Sequence, residues 1–213
     1  MSSPSLKTQD RFEWLNAHVN VSRETFEMLE KYVEQLIRWN QKINLIGPST
    51  VDDIWNRHIL DSLQLAKLIP AGAKNICDFG SGGGLPGLVL AFSECAPIVH
   101  LVESDIRKSV FLKEMAAFST KKNIVVHSQR IEKMESFSCD VITARALAPL
   151  EKLVLWSVPF LHEQTECLFM KGQTVNAEIA SCLQHFAMEY EKISSLSSAK
   201  GWIVRIKHVS MKK

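Results

Sequence analysis

The chain lacks most of the features that would tie it to a specialised environment. Its longest apolar runs, such as Leu85 to Phe92 and Leu153 to Leu161, are too short or too interrupted to span a bilayer. The first residues, MSSPSLKTQDRFEWL, have no apolar stretch between a basic start and a small-residue cleavage site, which argues against export and predicts a cytoplasmic protein with no membrane partner. The five cysteines (Cys77, Cys95, Cys139, Cys167 and Cys182) form no Cys-x-x-Cys pair and no cluster with histidines, so neither a disulfide framework nor a metal site is expected. Charge of one sign is scarce too: 25 Lys and Arg against 23 Asp and Glu leave a net +2. An electrostatically driven nucleic-acid binder carries a larger excess, so any such surface must be a local patch. Arg107 with Lys108, Lys121 with Lys122, and Lys207 with Lys212 and Lys213 are the candidates, although each alone reads first as solvated lysines.

What is present is the composition of an ordinary globular protein. At 213 residues, 46% hydrophobic and 23% charged, the chain is long enough for one α/β core with a small extension. Residues 1–70 read as a helical extension. From Ser22, a plausible cap, Phe26, Leu29, Val33, Leu36 and Ile37 recur at spacings of three and four, predicting a helix that ends near Asn44 to Pro48. A second helix is predicted from Ser49 or Thr50 to a stop before Pro70. From Asn75 the pattern alternates. NICDF, IVHLVE, NIVVH, DVITA and ECLFMK read as strands, each followed by a helical or short segment, and two more strands are predicted near Glu189 to Ser194 and Trp202 to His208. Five β–α units followed by a strand pair predict a mostly parallel sheet with helices on both faces, residues 71–213 forming with the extension one compact unit. In such sheets ligands bind beyond the carboxyl ends of the strands, where the strand order reverses.

The first of those strand ends carries DFGSGGGLPG, residues 78–87. A literal G-x-G-x-x-G lies within it, at Gly82, Gly84 and Gly87, and taken alone would permit a nicotinamide or flavin enzyme. The turn begins earlier, however, with Asp78 and then Gly80, Gly82 and Gly84 alternating, a form usual in S-adenosylmethionine-dependent methyltransferases. A pyrophosphate needs backbone N–H groups and the positive end of a helix, and a carboxylate at the mouth would oppose it. The ammonium of a methionine would instead be helped by Asp78, directly or through water. Glu103, 23 residues after Gly80, closes the second strand where an acid can accept from both ribose hydroxyls; both candidate cofactors use that device.

With these residues in place, the chain resembles the RsmG (GidB) family of bacterial methyltransferases. The resemblance covers nearly the whole chain. It rests on WNQKINLIG at 39–47, RHILDSL at 57–63, the glycine turn, SQRIEKM at 128–134, VITARALAPL at 141–150 and MKG at 170–172. It implies a class I, Rossmann-like fold with a seven-stranded mostly parallel sheet, and methylation of N7 of a guanine in the 530 loop of 16S ribosomal RNA. The cofactor would be S-adenosyl-L-methionine, the partner 16S rRNA or the small ribosomal subunit, and the enzyme a monomer without a metal. By position, Gly80 and Leu85 would contact the cofactor from the first turn, with Gly82 and Asp78 beside them. Ile131 and Glu132 would frame its adenine, and Arg145 would sit where cofactor and RNA meet. Gly83 departs mildly from the family, which often has another small residue there, and implies a more flexible loop.

The chemistry is compatible. Guanine N7 offers an in-plane lone pair and carries no proton, so proximity and alignment, worth roughly 7–11 kcal/mol in favourable cases, suffice without a general base. An exocyclic amine acceptor would call for an Asn/Asp-Pro-Pro-aromatic segment where TARALAP stands, and a pyrimidine carbon would call for a cysteine nucleophile, whereas Cys139 lies at the wrong end of its strand. Arg145 is the positioning candidate, and no residue is assigned as an acid or base. Arg57, His58 and Lys171 are the RNA-binding candidates, with Arg57 and Asp61, and His58 and Ser62, forming one polar patch at helical spacing. That patch also reads as a network tying the extension to the sheet. Two rivals stay open at this point: a nucleotide-dependent oxidoreductase, and an RNA-binding module without catalysis.

Overall fold

A computed structural model describes residues 8–96, 98–119 and 122–212. Lys121 and Lys213 of the basic clusters lie outside the described residues. Seven strands form one sheet: β1 (Asn75–Phe79), β2 (Ile98–Val102), β3 (Ile124–His127), β4 (Val141–Arg145), β5 (Glu166–Lys171), β6 (Phe186–Ser194) and β7 (Trp202–Met211). Their spatial order is β3-β2-β1-β4-β5-β7-β6, with β7 antiparallel to both neighbours and the other pairings parallel. The order reverses between β1 and β4, where ligands are expected.

Alternation along each strand builds two cores. Ile76, Val99, Leu101, Val141 and Leu168 face one way and pack with the N-terminal helices α1 (Thr8–His18) and α2 (Arg23–Asn40), the segment 54–65, α4 (Gly87–Phe92) and α5 (Ile106–Phe118). Cys77, Phe79, Ile142, Ala144 and Phe169 face the other way, toward α6 (Leu150–Ser157) and α7 (Val175–His185). The extension is therefore continuous with one core of the sheet. Among the described residues no helix is long and apolar enough to cross a membrane. All five cysteines are free, and burial pushes the Cys167 thiol up to about 12, far from the reactive thiolate range.

Two helical expectations are corrected. Helix α2 begins at the Ser22 cap as expected, with Ser22 Oγ accepting from Thr25 N at 3.1 Å, but it stops at Asn40. The side-chain oxygen of Asn40 turns back to accept from the amides of Leu45 and Ile46, at 2.8 and 3.0 Å, and so closes a loop where the apolar spacing alone extended the helix. The second helix is not regular. It runs through a π-helical turn at Trp55–Leu60, one α turn, α3 (Asp61–Leu63), and a 3-10 stretch at Gln64–Leu68. The π turn carries Arg57 and His58, and such insertions are frequent at functional sites.

Candidate functional site

A cavity of about 900 Å³ opens over the carboxyl ends of β1, β2, β4 and β5. Its floor is the glycine turn. Gly80, Gly82 and Gly84 all have positive φ, at +63°, +54° and +89°, so the alternation seen in the sequence is an alternation of left-handed residues that glycine alone adopts at little cost. Gly87, by contrast, is helical, and a Cβ there would lie 2.3 Å from Leu101 and 2.7 Å from an Asp78 carboxylate oxygen. It lets α4 pack tightly on β1 and β2.

Asp78 lies beneath the turn instead of at its mouth, so it supports the turn from below. It is fully buried, accepting from Thr143 Oγ1 at 2.7 Å and from the Gly87 amide at 3.1 Å, and it does not line the cavity. The strand alternation explains this, since Asp78 points to the same side as Ile76, under α4. Burial pushes its carboxyl up to about 6 from the ordinary 3.8, against the hydrogen bonds from Thr143, Ser81 and Gly87. The folded state therefore holds the proton more tightly than the unfolded chain. This contribution to stability is complete below about pH 4 and is lost as pH rises through about 6, amounting to about 3 kcal/mol. The stability difference between the wild type and Asp78→Asn is expected to shift by about 2 kcal/mol between pH 4 and pH 7, as read by urea unfolding at the two pH values.

Glu103 is nearly buried at the end of β2, and its two carboxylate oxygens accept from the amides of Gly82, at 2.8 Å, and Asp105, at 2.7 Å. Each oxygen keeps a further lone pair for an incoming hydroxyl. Glu103 thus links the second strand to the glycine turn and lines the cavity together with Leu85, Ile131 and Glu132. Ile131 and Glu132 lie on a short 3-10 turn after β3, the isoleucine buried and the glutamate exposed.

Across the cavity stands the polar patch of the π turn. Arg145, at the end of β4, donates to the Arg57 carbonyl at 3.2 Å and pairs with Asp61 at 3.4 Å. Asp61 also accepts from Gln64 and from the hydroxyls of Ser195 and Ser197 in the β6–β7 loop. Arg145 is thus held in an ion pair with Asp61. The next residue, Ala146, holds φ +52°, a strained value for a side-chain-bearing residue and one found at functional loops. His58 is buried, and burial, reinforced by Arg145 and Arg57, pulls its pKa down to about 3, so the imidazole is neutral. Its Nε2 meets Thr50 Oγ1 at 2.7 Å, and the Thr50 proton is already donated to the Gly47 carbonyl. His58 is therefore the Nε2–H tautomer, and its Nδ1 is a buried acceptor without a hydrogen-bond partner among the described residues. Lys171 is engaged as well, its Nζ 2.5 Å from Glu178 and 2.9 Å from the Ala148 carbonyl. Glu178 in turn accepts from the Leu150 amide, so the pair braces the loop after β4.

Sequence reasoning missed Tyr32. It lies on the buried face of α2, and its hydroxyl donates to the Gly83 carbonyl at 2.6 Å. A Cβ on Gly83 would come within 3.2 Å of Leu36 and 3.3 Å of the Leu45 carbonyl. The Gly83 departure therefore meets a tight contact with the extension where the sequence implied a looser loop. Thr25 Oγ1 adds a bond to the Phe92 carbonyl, so α2 holds both ends of the turn–α4 unit. The available signal was a tyrosine on an otherwise apolar helix face, whose hydroxyl must find a partner once buried.

Comparisons with known proteins agree with this arrangement. Residues 25–206 match the family model GidB, rRNA small subunit methyltransferase G. The Ribosomal RNA small subunit methyltransferase G of Paramagnetospirillum magneticum is 46% identical over 190 residues, covering 89% of this chain and 92% of the relative. That of Rhodospirillum rubrum is 47% identical over 190 residues, covering 89% and 94%. Among solved structures, a ribosomal protein L11 methylase from Lactobacillus delbrueckii subsp. bulgaricus superposes with a TM-score of 0.55 at 18% identity, over 71% of this chain and 77% of that one, a likeness of fold. With a glycine turn of this form at the reversal point of a seven-stranded sheet, and a family match that spans most of its length, the chain belongs to the rRNA small subunit methyltransferase G family.

Proposed function

We propose that the protein transfers a methyl group from S-adenosyl-L-methionine to N7 of a guanine in the 530 loop of 16S ribosomal RNA, acting in the cytoplasm as a monomer on the RNA or the small subunit. The observation that carries the reading is the joint made by Glu103 and the left-handed glycine turn at one end of a cavity with a second, arginine-bearing end. When bound, the cofactor supplies a methyl group on a positively charged sulfur. Gly80 and Gly82 present bare backbone to it, Glu103 accepts from ribose hydroxyls, and Leu85, Ile131 and Glu132 border the adenine. Arg145, held by Asp61, lies toward both cofactor and RNA and positions the acceptor base. Arg57 and neutral His58 stand on the RNA side, His58 with no change of charge near neutral pH. Lys171 serves RNA indirectly, by bracing the loop that carries Arg145 and Ala146. N7 needs no deprotonation, and alignment is the main demand on the protein. The extension, residues 1–70, and the domain at 71–213 work as one unit, which the shared core supports.

Mapping N7-methylguanine in 16S rRNA from cells with and without the gene tests reaction, atom and site together. Loss of the mark without the gene is expected; its persistence at full level would overturn the reading. Tyr32→Phe, which removes one hydrogen bond of about 1 kcal/mol while keeping the ring, is expected to weaken S-adenosylhomocysteine binding roughly fivefold with the fold intact. Calorimetric titration of the variant beside the wild type checks this.

A further inference from the structure

The two ends of the cavity differ in chemistry beyond what the proposed function assigns. Deep in the pocket the cations are spoken for, Arg145 by Asp61 and Lys171 by Glu178. The lining also includes Lys152 and Trp156 from α6 and Lys200 from the β6–β7 loop. Lys152 and Lys200 are exposed and form no ion pair among the described residues. Lys152 lies over the indole of Trp156, its Nζ 4.7 Å from the ring centroid. Trp156 is half-buried, packed on one side against the core beneath α6, which holds the ring rigid at the cavity edge. A second pair, Lys192 over Trp202, is less free, because Trp202 sits in β7 between Lys171 and Ser194.

A rigid aromatic face flanked by unneutralised lysines is the chemistry that binds single-stranded RNA: the ring stacks a base of any sequence and the cations take the phosphates. We infer that Trp156 is a stacking platform for an unpaired RNA base next to the target guanine, and that Lys152 and Lys200 grip the adjoining backbone, Lys152 exchanging the indole face for a phosphate as the base arrives. The inference rests on the proposed function and adds the edge by which RNA enters.

The test measures RNA KM, kcat, S-adenosylhomocysteine affinity and salt dependence for the full-length protein with 16S rRNA or small subunits. Trp156→Leu keeps apolar packing and removes stacking; it is expected to raise the RNA KM roughly 5- to 100-fold, with S-adenosylhomocysteine affinity unchanged. Trp156→Phe retains a ring and is expected to stay within about threefold of wild type. Lys152→Gln and Lys200→Gln are each expected to reduce the slope of log affinity against log salt by about 0.7. Wild-type RNA KM in Trp156→Leu, or wild-type salt slopes in both lysine variants, would overturn the inference. A wild-type protein that methylates no ribosomal RNA would instead overturn the proposed function, so the two failures are distinct.

Discussion

Gly80→Val is expected to weaken S-adenosylhomocysteine binding at least about 100-fold, a loss of about 2.7 kcal/mol, while the protein stays folded. Two effects add. A left-handed backbone costs an L-residue about 1–2 kcal/mol and more when the side chain is β-branched, and Gly80 sits at φ +63°. A Cβ there would also lie 2.4 Å from a Leu147 methyl. Leu147 is partly exposed and can swing aside, so the steric part falls on the cavity and not on the core. Calorimetry with S-adenosylhomocysteine, beside circular dichroism to verify folding, reads the effect. Wild-type affinity in a folded Gly80→Val protein would remove the glycine turn from the cofactor site.

Asp61→Ala carries the second large effect, on stability and turnover together. Asp61 is the common acceptor for Arg145, Gln64, Ser195 and Ser197, and its side chain is only 16% exposed. Removing one partner of a largely buried pair leaves a charge uncompensated, at a cost of about 3 kcal/mol. For a chain of this size that lowers Tm by about 6–12 °C. Methyl transfer is expected to fall at least about tenfold, because Arg145 loses the carboxylate that fixes its fork. The double variant Asp61→Ala with Arg145→Met separates the two roles. It is expected to regain much of the lost Tm, since no bare charge remains, and to stay as inactive as the single variant. Recovery of activity in the double variant would show that Arg145 does not position the acceptor.

The strands and the glycine turn were legible in the sequence because each rests on a local rule. Short β-type runs gave β1 to β5, and alternating glycines gave three left-handed residues in a row of five. Helix α5, Ile106–Phe118, follows β2 where a helical or short segment was expected. What was not legible was what depends on side-chain partners that no periodic pattern registers. Asp78 was read as a ligand group from its place at a strand end, and alternation put it under α4, where Thr143 and Gly87 hold it. The end of α2 was missed because Asn40 makes its side-chain bonds to amides five and six residues ahead. Lys171 and Tyr32 have partners at Glu178 and Gly83 that no short motif reveals, Tyr32 reaching 51 residues along the chain. The π turn was invisible for another reason: its apolar spacing differs little from that of an α-helix over a single turn.

The node at Asp61 joins segments that the ribosome makes far apart in time. Ser195 and Ser197 lie 134 and 136 residues after it and belong to the final hairpin. A chain whose translation stops before that hairpin carries the complete glycine bend and Asp61 itself, yet lacks one wall of the pocket and the two hydroxyls that hold the Asp61 carboxylate toward Arg145.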